Sequence, residues 1–81
     1  MSIPDSLDYA LARYTVETVR RSRVGYEGYT VDMGAFLVGW FSAVNEWPMM
    51  DLPPEGKGVA SYRSGYNDGQ LVYRIWRRDQ R

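Results

Sequence analysis

AFLVGWFSA (residues 35–43) and SYRSGYNDG (residues 61–69) obey one rule: small, aromatic, two variable positions, glycine, aromatic, two variable positions, small. Ala35, Phe36, Gly39, Trp40 and Ala43 in the first copy match Ser61, Tyr62, Gly65, Tyr66 and Gly69 in the second. Residues four apart share a face of an α-helix, so each copy reads as a stripe of tiny side chains beside a stripe of rings. Glycine inside a helix costs about 1 kcal/mol relative to alanine, so Gly39, Gly65 and Gly69 together cost about 3 kcal/mol. Close contact between two helices along Ala35/Gly39/Ala43 and Ser61/Gly65/Gly69 offsets that cost. Small-residue stripes pack helices in membranes the same way, although here water drives the burial of the rings. The connection, residues 46–58, is long enough for an antiparallel hairpin. A competing reading takes Asn67-Asp68-Gly69 as a turn, which makes 59–66 and 70–77 separate elements, strands included.

Outward from the two copies, the rest of the chain falls into place around them. Asp32 is an N-cap residue for a helix over about 33–45, which is apolar nearly all round and is therefore expected to be the central, buried helix. Trp47-Pro48 ends it, because a residue before proline avoids the helical region. A last helix is expected over about 59–77, with a frayed tail beyond it. Near the start, Pro4, Asp5 and Asp8 are N-terminal helix signals. Leu7, Leu11, Tyr14 and Thr18 recur at helical spacing and Glu17 stands four before Arg21, so a helix over about 5–22 follows. Thr15, Val16, Thr18 and Val19 also fit a strand. Residues 22–31, broken by Gly25 and Gly28, read as a loop that lays Tyr26 and Tyr29 over the helices. In the connection, two prolines and two glycines surround Met49, Met50 and Leu52, which are expected to fold inward; left exposed, they become a binding surface. The expectation is a single all-α domain over residues 1–81, with three helices and a close-packed helical hairpin at its centre.

Composition narrows the chemistry. The 81 residues include no cysteine and no histidine, which removes disulfides, thiolate metal sites, and the commonest general base and metal ligand. The hydroxyls are scattered and have no histidine to activate them. Gly56-Lys57-Gly58 lacks the spacing of a phosphate loop. Neither enzymatic activity nor a cofactor or metal site is expected. No run of about 20 apolar residues occurs, as a membrane span requires, and the N-terminus lacks the basic start and apolar centre of a secretory signal; a cytoplasmic protein is expected.

The formal charge is zero but unevenly placed. Residues 24–62 hold five acids against Lys57 alone, whereas residues 63–81 hold five arginines against Asp68 and Asp79. Twelve of the residues are aromatic and nine of the ten bases are arginine. Tyrosine, tryptophan, methionine and arginine are the residues that protein interfaces favour, and lysine is one that they avoid.

Two short helices bearing aromatic-x-x-Gly-aromatic-x-x-small, joined by a loop, resemble the ribosome modulation factor family and similar small phage proteins, over about Ala35 to Gly69. That family is strongly basic and carries Cys-Pro-Tyr in its loop, where this chain is neutral and reads Trp47-Pro48-Met49. The resemblance implies a small accessory protein of phage type.

The expected function is stoichiometric binding to another protein, a host protein complex, through Tyr26, Tyr29, Glu46, Trp47, Met49, Met50, Asp51 and Glu55. The acidic members would face basic residues of the partner. In its most specific form this is a phage-encoded inhibitor of a bacterial defence complex, of the anti-CRISPR kind, acting in the host cytoplasm. The alternative is an RNA- or ribosome-binding accessory factor, in which Arg63, Arg74, Arg77, Arg78 and Arg81 neutralise phosphates and neighbouring rings stack on bases. A homodimer is one way to cover so much aromatic surface.

Overall fold

The computed structural model describes residues 6–23, 32–51 and 58–79. It is all-α: α1 is Leu7–Arg23, α2 is Met33–Val44 and α3 is Val59–Asp79. Ser6 opens α1 by accepting from the backbone N–H of Tyr9 at 3.2 Å. The strand-like residues lie within the helix, where the hydroxyls of Thr15 and Thr18 donate to the carbonyls of Leu11 and Tyr14, each at 3.0 Å. The expected Glu17–Arg21 pair forms at 2.7 Å, and Arg20 joins it at 3.0 Å. Pro4, Asp5 and the stretch 24–31, with Tyr26 and Tyr29, lie outside the described residues.

Asp32 caps α2, its carboxylate accepting from the N–H of Ala35 at 2.9 Å. Its own N–H donates to the Ser61 hydroxyl at 2.8 Å, which fastens the start of α2 to α3. α2 is the central helix, packed extensively along α3 and more lightly under α1. Its burial is not complete all round: Phe36, Gly39, Trp40, Ala43 and Val44 are buried, while Met33 and Val38 keep about half their surface in water. α3 runs unbroken through Asn67-Asp68-Gly69, so that triplet is helix and the turn reading falls. The helix also continues to Asp79, beyond the expected end.

The close contact of α2 and α3 is as expected and its direction is not. Asp32 meets Ser61, Phe36 meets Gly65 and Trp40 meets Gly69, so residue numbers rise together along the interface. The two helices run the same way, not antiparallel. The connection makes this feasible. α2 is 12 residues long, about 18 Å at 1.5 Å per residue, whereas 13 extended residues reach about 40 Å. The described part of the return runs beside α3, where Trp47 and Met50 are bonded to Tyr66 and Tyr62.

Glycine is required at the contact. A Cβ at Gly39 would lie 2.2 Å from the Tyr62 carbonyl oxygen, and one at Gly65 would lie 2.1 Å from that of Phe36. Each glycine thus rests against the backbone of a ring-bearing residue in the other copy. Two clusters of rings and aliphatic groups flank the seam. Ala10, Phe36, Trp40, Val44 and Val72 form one, and Ala43, Tyr62 and Tyr66 the other.

α1 is held to this pair by Tyr9 on Trp40 and Tyr14 on Phe36, both with ring centroids 5.8 Å apart. A forked ion pair adds to this: Arg13 donates through Nε and Nη2 to the two oxygens of Asp68, at 2.8 and 2.5 Å. That hydrogen bond and the charge of Asp68 raise the Arg13 pKa above its ordinary value despite partial burial.

Candidate functional site

The end of α2 and the segment after it gather most of the described candidate residues. Asn45 is the C-cap, and Glu46 follows with φ of +59°, in the left-handed region. The N–H of Glu46 donates to the Ala43 carbonyl at 3.0 Å and that of Trp47 to the Ser42 carbonyl at 2.8 Å. This is the paired bonding of a Schellman turn, whose left-handed position usually holds glycine because a Cβ is strained there. Here a glutamate holds it.

Two tyrosines one turn apart on α3 then hold the returning chain. The Tyr66 hydroxyl donates to the Trp47 carbonyl at 2.5 Å, and the N–H of Met50 donates to the Tyr62 hydroxyl at 3.0 Å. Both rings are buried, and the bonds satisfy their hydroxyls. The anchored atoms belong to the backbone of the segment or to the tyrosines, so the segment's own side chains face out. Trp47 is 58% exposed, Met49 42% and Met50 50%. The methionines therefore do not fold inward. Asp51 is exposed beside them; Leu52, Glu55 and Lys57 lie outside the described residues.

The two sets of candidates meet at one contact. Glu46, from the acidic set, pairs with Arg77, from the basic set, at 3.1 Å across exposed surface. Arg74 and Arg78 are exposed on the same half of α3, and no hydrogen bond or ion pair joins either to another described residue. Arg63 is exposed nearly three turns earlier, near the start of α3, and Arg81 lies outside the described residues. Tyr73 and Trp76, expected as stacking partners for bases, stack on each other with centroids 5.7 Å apart and are half-buried.

Two clefts border the pinned segment. One, of about 240 Å³, is almost wholly apolar and lies between Ala35, Val38, Val59 and Tyr62 with Met50 at its rim. The other, of about 350 Å³, lies between the Schellman turn and α3 and is lined by Glu46, Trp47, Pro48, Gln70, Tyr73 and Arg74. Among the described residues no group of three or more acids is placed to hold a metal ion, and no helix is long and apolar enough to cross a membrane.

No family of known proteins, no curated protein and no solved structure matches the chain. The site therefore stands on its own geometry.

The holding tyrosines are members of this candidate site that the sequence pattern did not single out. A signal for them exists. Where the first copy carries Phe36 and Trp40, the second carries Tyr62 and Tyr66, and two buried hydroxyls demand partners that a neighbouring helix, with its own carbonyls taken, does not supply.

Proposed function

We propose that this chain is a non-catalytic protein-binding module whose contact surface is the segment 46–51 and the clefts on either side of it. One observation carries the reading. Tyr62 and Tyr66 fix the backbone of this segment at both ends, while Trp47, Met49 and Met50, three large apolar side chains, stay in solvent. A surface ordered before binding loses less entropy when it binds. Tryptophan and methionine are enriched at interfaces, and an exposed cluster of apolar groups on a small domain marks a contact site. The most specific form of the proposal is a phage-encoded inhibitor that occupies a bacterial defence complex. It draws on the short motif resemblance over about Ala35 to Gly69 noted in the sequence.

The test is capture from bacterial lysate by the immobilised protein, repeated with a Trp47→Ala/Met50→Ala variant whose melting midpoint matches wild type. A protein recovered at fixed stoichiometry by wild type and lost by the variant is the expected result. Equal recovery by both would remove this surface from consideration. Recovery of RNA instead, abolished by Arg74→Glu/Arg77→Glu, would establish the nucleic-acid alternative. For the specific form, expression of the chain in cells with an active CRISPR system should protect an incoming targeted plasmid.

A further inference from the structure

We infer that α1 is a separable lid clasped by the Arg13–Asp68 fork. It lifts from α2 and α3 as one unit and uncovers Phe36 and Trp40, while the α2–α3 pair stays folded.

The three helices are not held alike. α2 and α3 press backbone on backbone at Gly39 and Gly65. α1 contains no glycine and reaches the pair through side chains. Its ties include Tyr9 on Trp40, Tyr14 on Phe36, the fork from Arg13 to Asp68, and a 3.3 Å hydrogen bond from Arg21 to the Ser64 hydroxyl. Burial divides the same way. α2 buries six residues and α3 seven, whereas over residues 7–21 of α1 only Ala10 is fully buried. Val16 and Val19 on α1 keep about half their surface in water. Apolar burial is the main force that holds an element in place, and the element with least of it opens first.

Trp40 marks the weak point of the cover. Its ring is fully buried, yet its indole N–H meets no acceptor among the described residues. A buried donor without a partner forgoes the hydrogen bond that water gives it. Lifting α1 takes Tyr9 off the Trp40 ring and admits water, so opening recovers part of what closing costs.

Once lifted, α1 does not persist as a helix. It has 17 residues, and an isolated helix of about this length is marginal in water. Thr15, Val16, Thr18 and Val19 lower its propensity further, and the bonds of Glu17 to Arg20 and Arg21 support it only locally. The α1 amides therefore open in one step. The uncovered face belongs to the cluster of Ala10, Phe36, Trp40, Val44 and Val72. Tyr62 and Tyr66 belong to the other cluster and keep their bonds to the segment 46–51, so the lid is independent of that surface.

Native-state hydrogen exchange of the full chain, read by NMR at backbone amides and at the Trp40 indole, tests this. The amides of residues 11–21 and the indole should share one opening constant, at least about a hundredfold larger than that of the slowest α2 and α3 amides. Two variants separate a lid from a single cooperative unit. Gly65→Ala strains the α2–α3 seam, which the lifted state retains. It should speed the slowest α2 and α3 amides about 5- to 30-fold and leave α1 and the indole unchanged. Arg13→Ala removes a clasp that the lifted and the unfolded states both lack. It should speed α1, the indole and the slowest amides alike, by about tenfold, the loss expected for a charge-assisted hydrogen bond. Arg13→Lys keeps the charge without the fork and should fall between. Urea below the unfolding transition should accelerate the slowest amides more steeply than α1, which exposes less surface when it opens. Exchange of α1 at the α2–α3 rate, with the same response to Gly65→Ala or to urea, would overturn the inference. So would a gradient of rates fraying from Leu7, an indole as slow as the seam, or an α1 indifferent to Arg13→Ala.

Discussion

Replacing Gly65 by alanine adds one carbon in the worst place the fold offers. The new Cβ would lie 2.1 Å from the Phe36 carbonyl oxygen, 2.8 Å from its carbon and 3.0 Å from its Cα, where ordinary contact begins at 3.4 Å. All three obstacles are backbone atoms of α2, so no side chain can swing aside. The helices must part by about an ångström. Such a gap forfeits a quarter to a half of the dispersion attraction between facing atoms, and overpacking of a tight core costs about 1–3 kcal/mol or more. Alanine returns about 1 kcal/mol in helix propensity. The upper part of that cost, less the propensity gain, leaves a net loss of about 1–2 kcal/mol, from a total of about 4–12 kcal/mol for a domain this size. The melting midpoint should fall by about 4–16 °C, as followed by far-ultraviolet circular dichroism. Gly39→Ala, with its Cβ 2.2 Å from the Tyr62 oxygen, should behave the same way. Gly34→Ala is the control: in the same helix as Gly39, its Cβ meets only the Asp32 carboxylate, at 3.5 Å, so it should be neutral or gain up to about 1 kcal/mol. Melting of Gly39→Ala and Gly65→Ala at or above the wild-type midpoint, in line with Gly34→Ala, would refute the backbone-to-backbone contact.

Glu46→Gly should stabilise the fold by about 1 kcal/mol, because it relieves a left-handed residue and gives up only an ion pair exposed on both sides; a lower urea midpoint would contradict this. Tyr66→Phe should cost about 1 kcal/mol and speed amide hydrogen exchange over residues 47–50 without changing it in α3; unchanged exchange there would mean that the hydroxyl does not hold the segment. Burial pushes the Glu17 pKa up, but hydrogen bonds from Arg20 and Arg21 outweigh it and hold the group below the usual 4.5. A carboxylate lowered on folding adds stability that is present above the unfolded value and disappears as pH falls through the folded one. Urea midpoints taken from about pH 6 down to about pH 3 should therefore drop less steeply in Glu17→Gln than in wild type.

The three helices and the glycine seam were legible because their signals are local: a cap at Asp32, a proline at position 48, and small residues four apart. Direction was not, since a stripe of small residues looks alike from either end. The length of the connection held the clue, for antiparallel neighbours are joined by about 2–8 residues and this chain uses 13. The threonines and valines of α1 also fit a strand, but its length and start signals favoured the helix, and there the hydroxyls of Thr15 and Thr18 turn back to carbonyls one turn earlier. Met49 and Met50 looked like core by hydrophobicity alone. The anchor at Met50 is its backbone N–H, which leaves the side chain free to face water. The Glu46–Arg77 pair joins residues 31 apart, and no short-range pattern in the sequence marks such a partner.

The reciprocal seating of Gly39 on Tyr62 and of Gly65 on Phe36 has the form of a self-complementary contact between two identical rods pointing the same way. This chain builds that contact from its own two copies. Tethering makes the pairing intramolecular, at an effective concentration in the millimolar range. The motif that would otherwise recruit a second molecule is thereby used up within the first, and exchange of α3 between chains has to compete with a partner that never leaves.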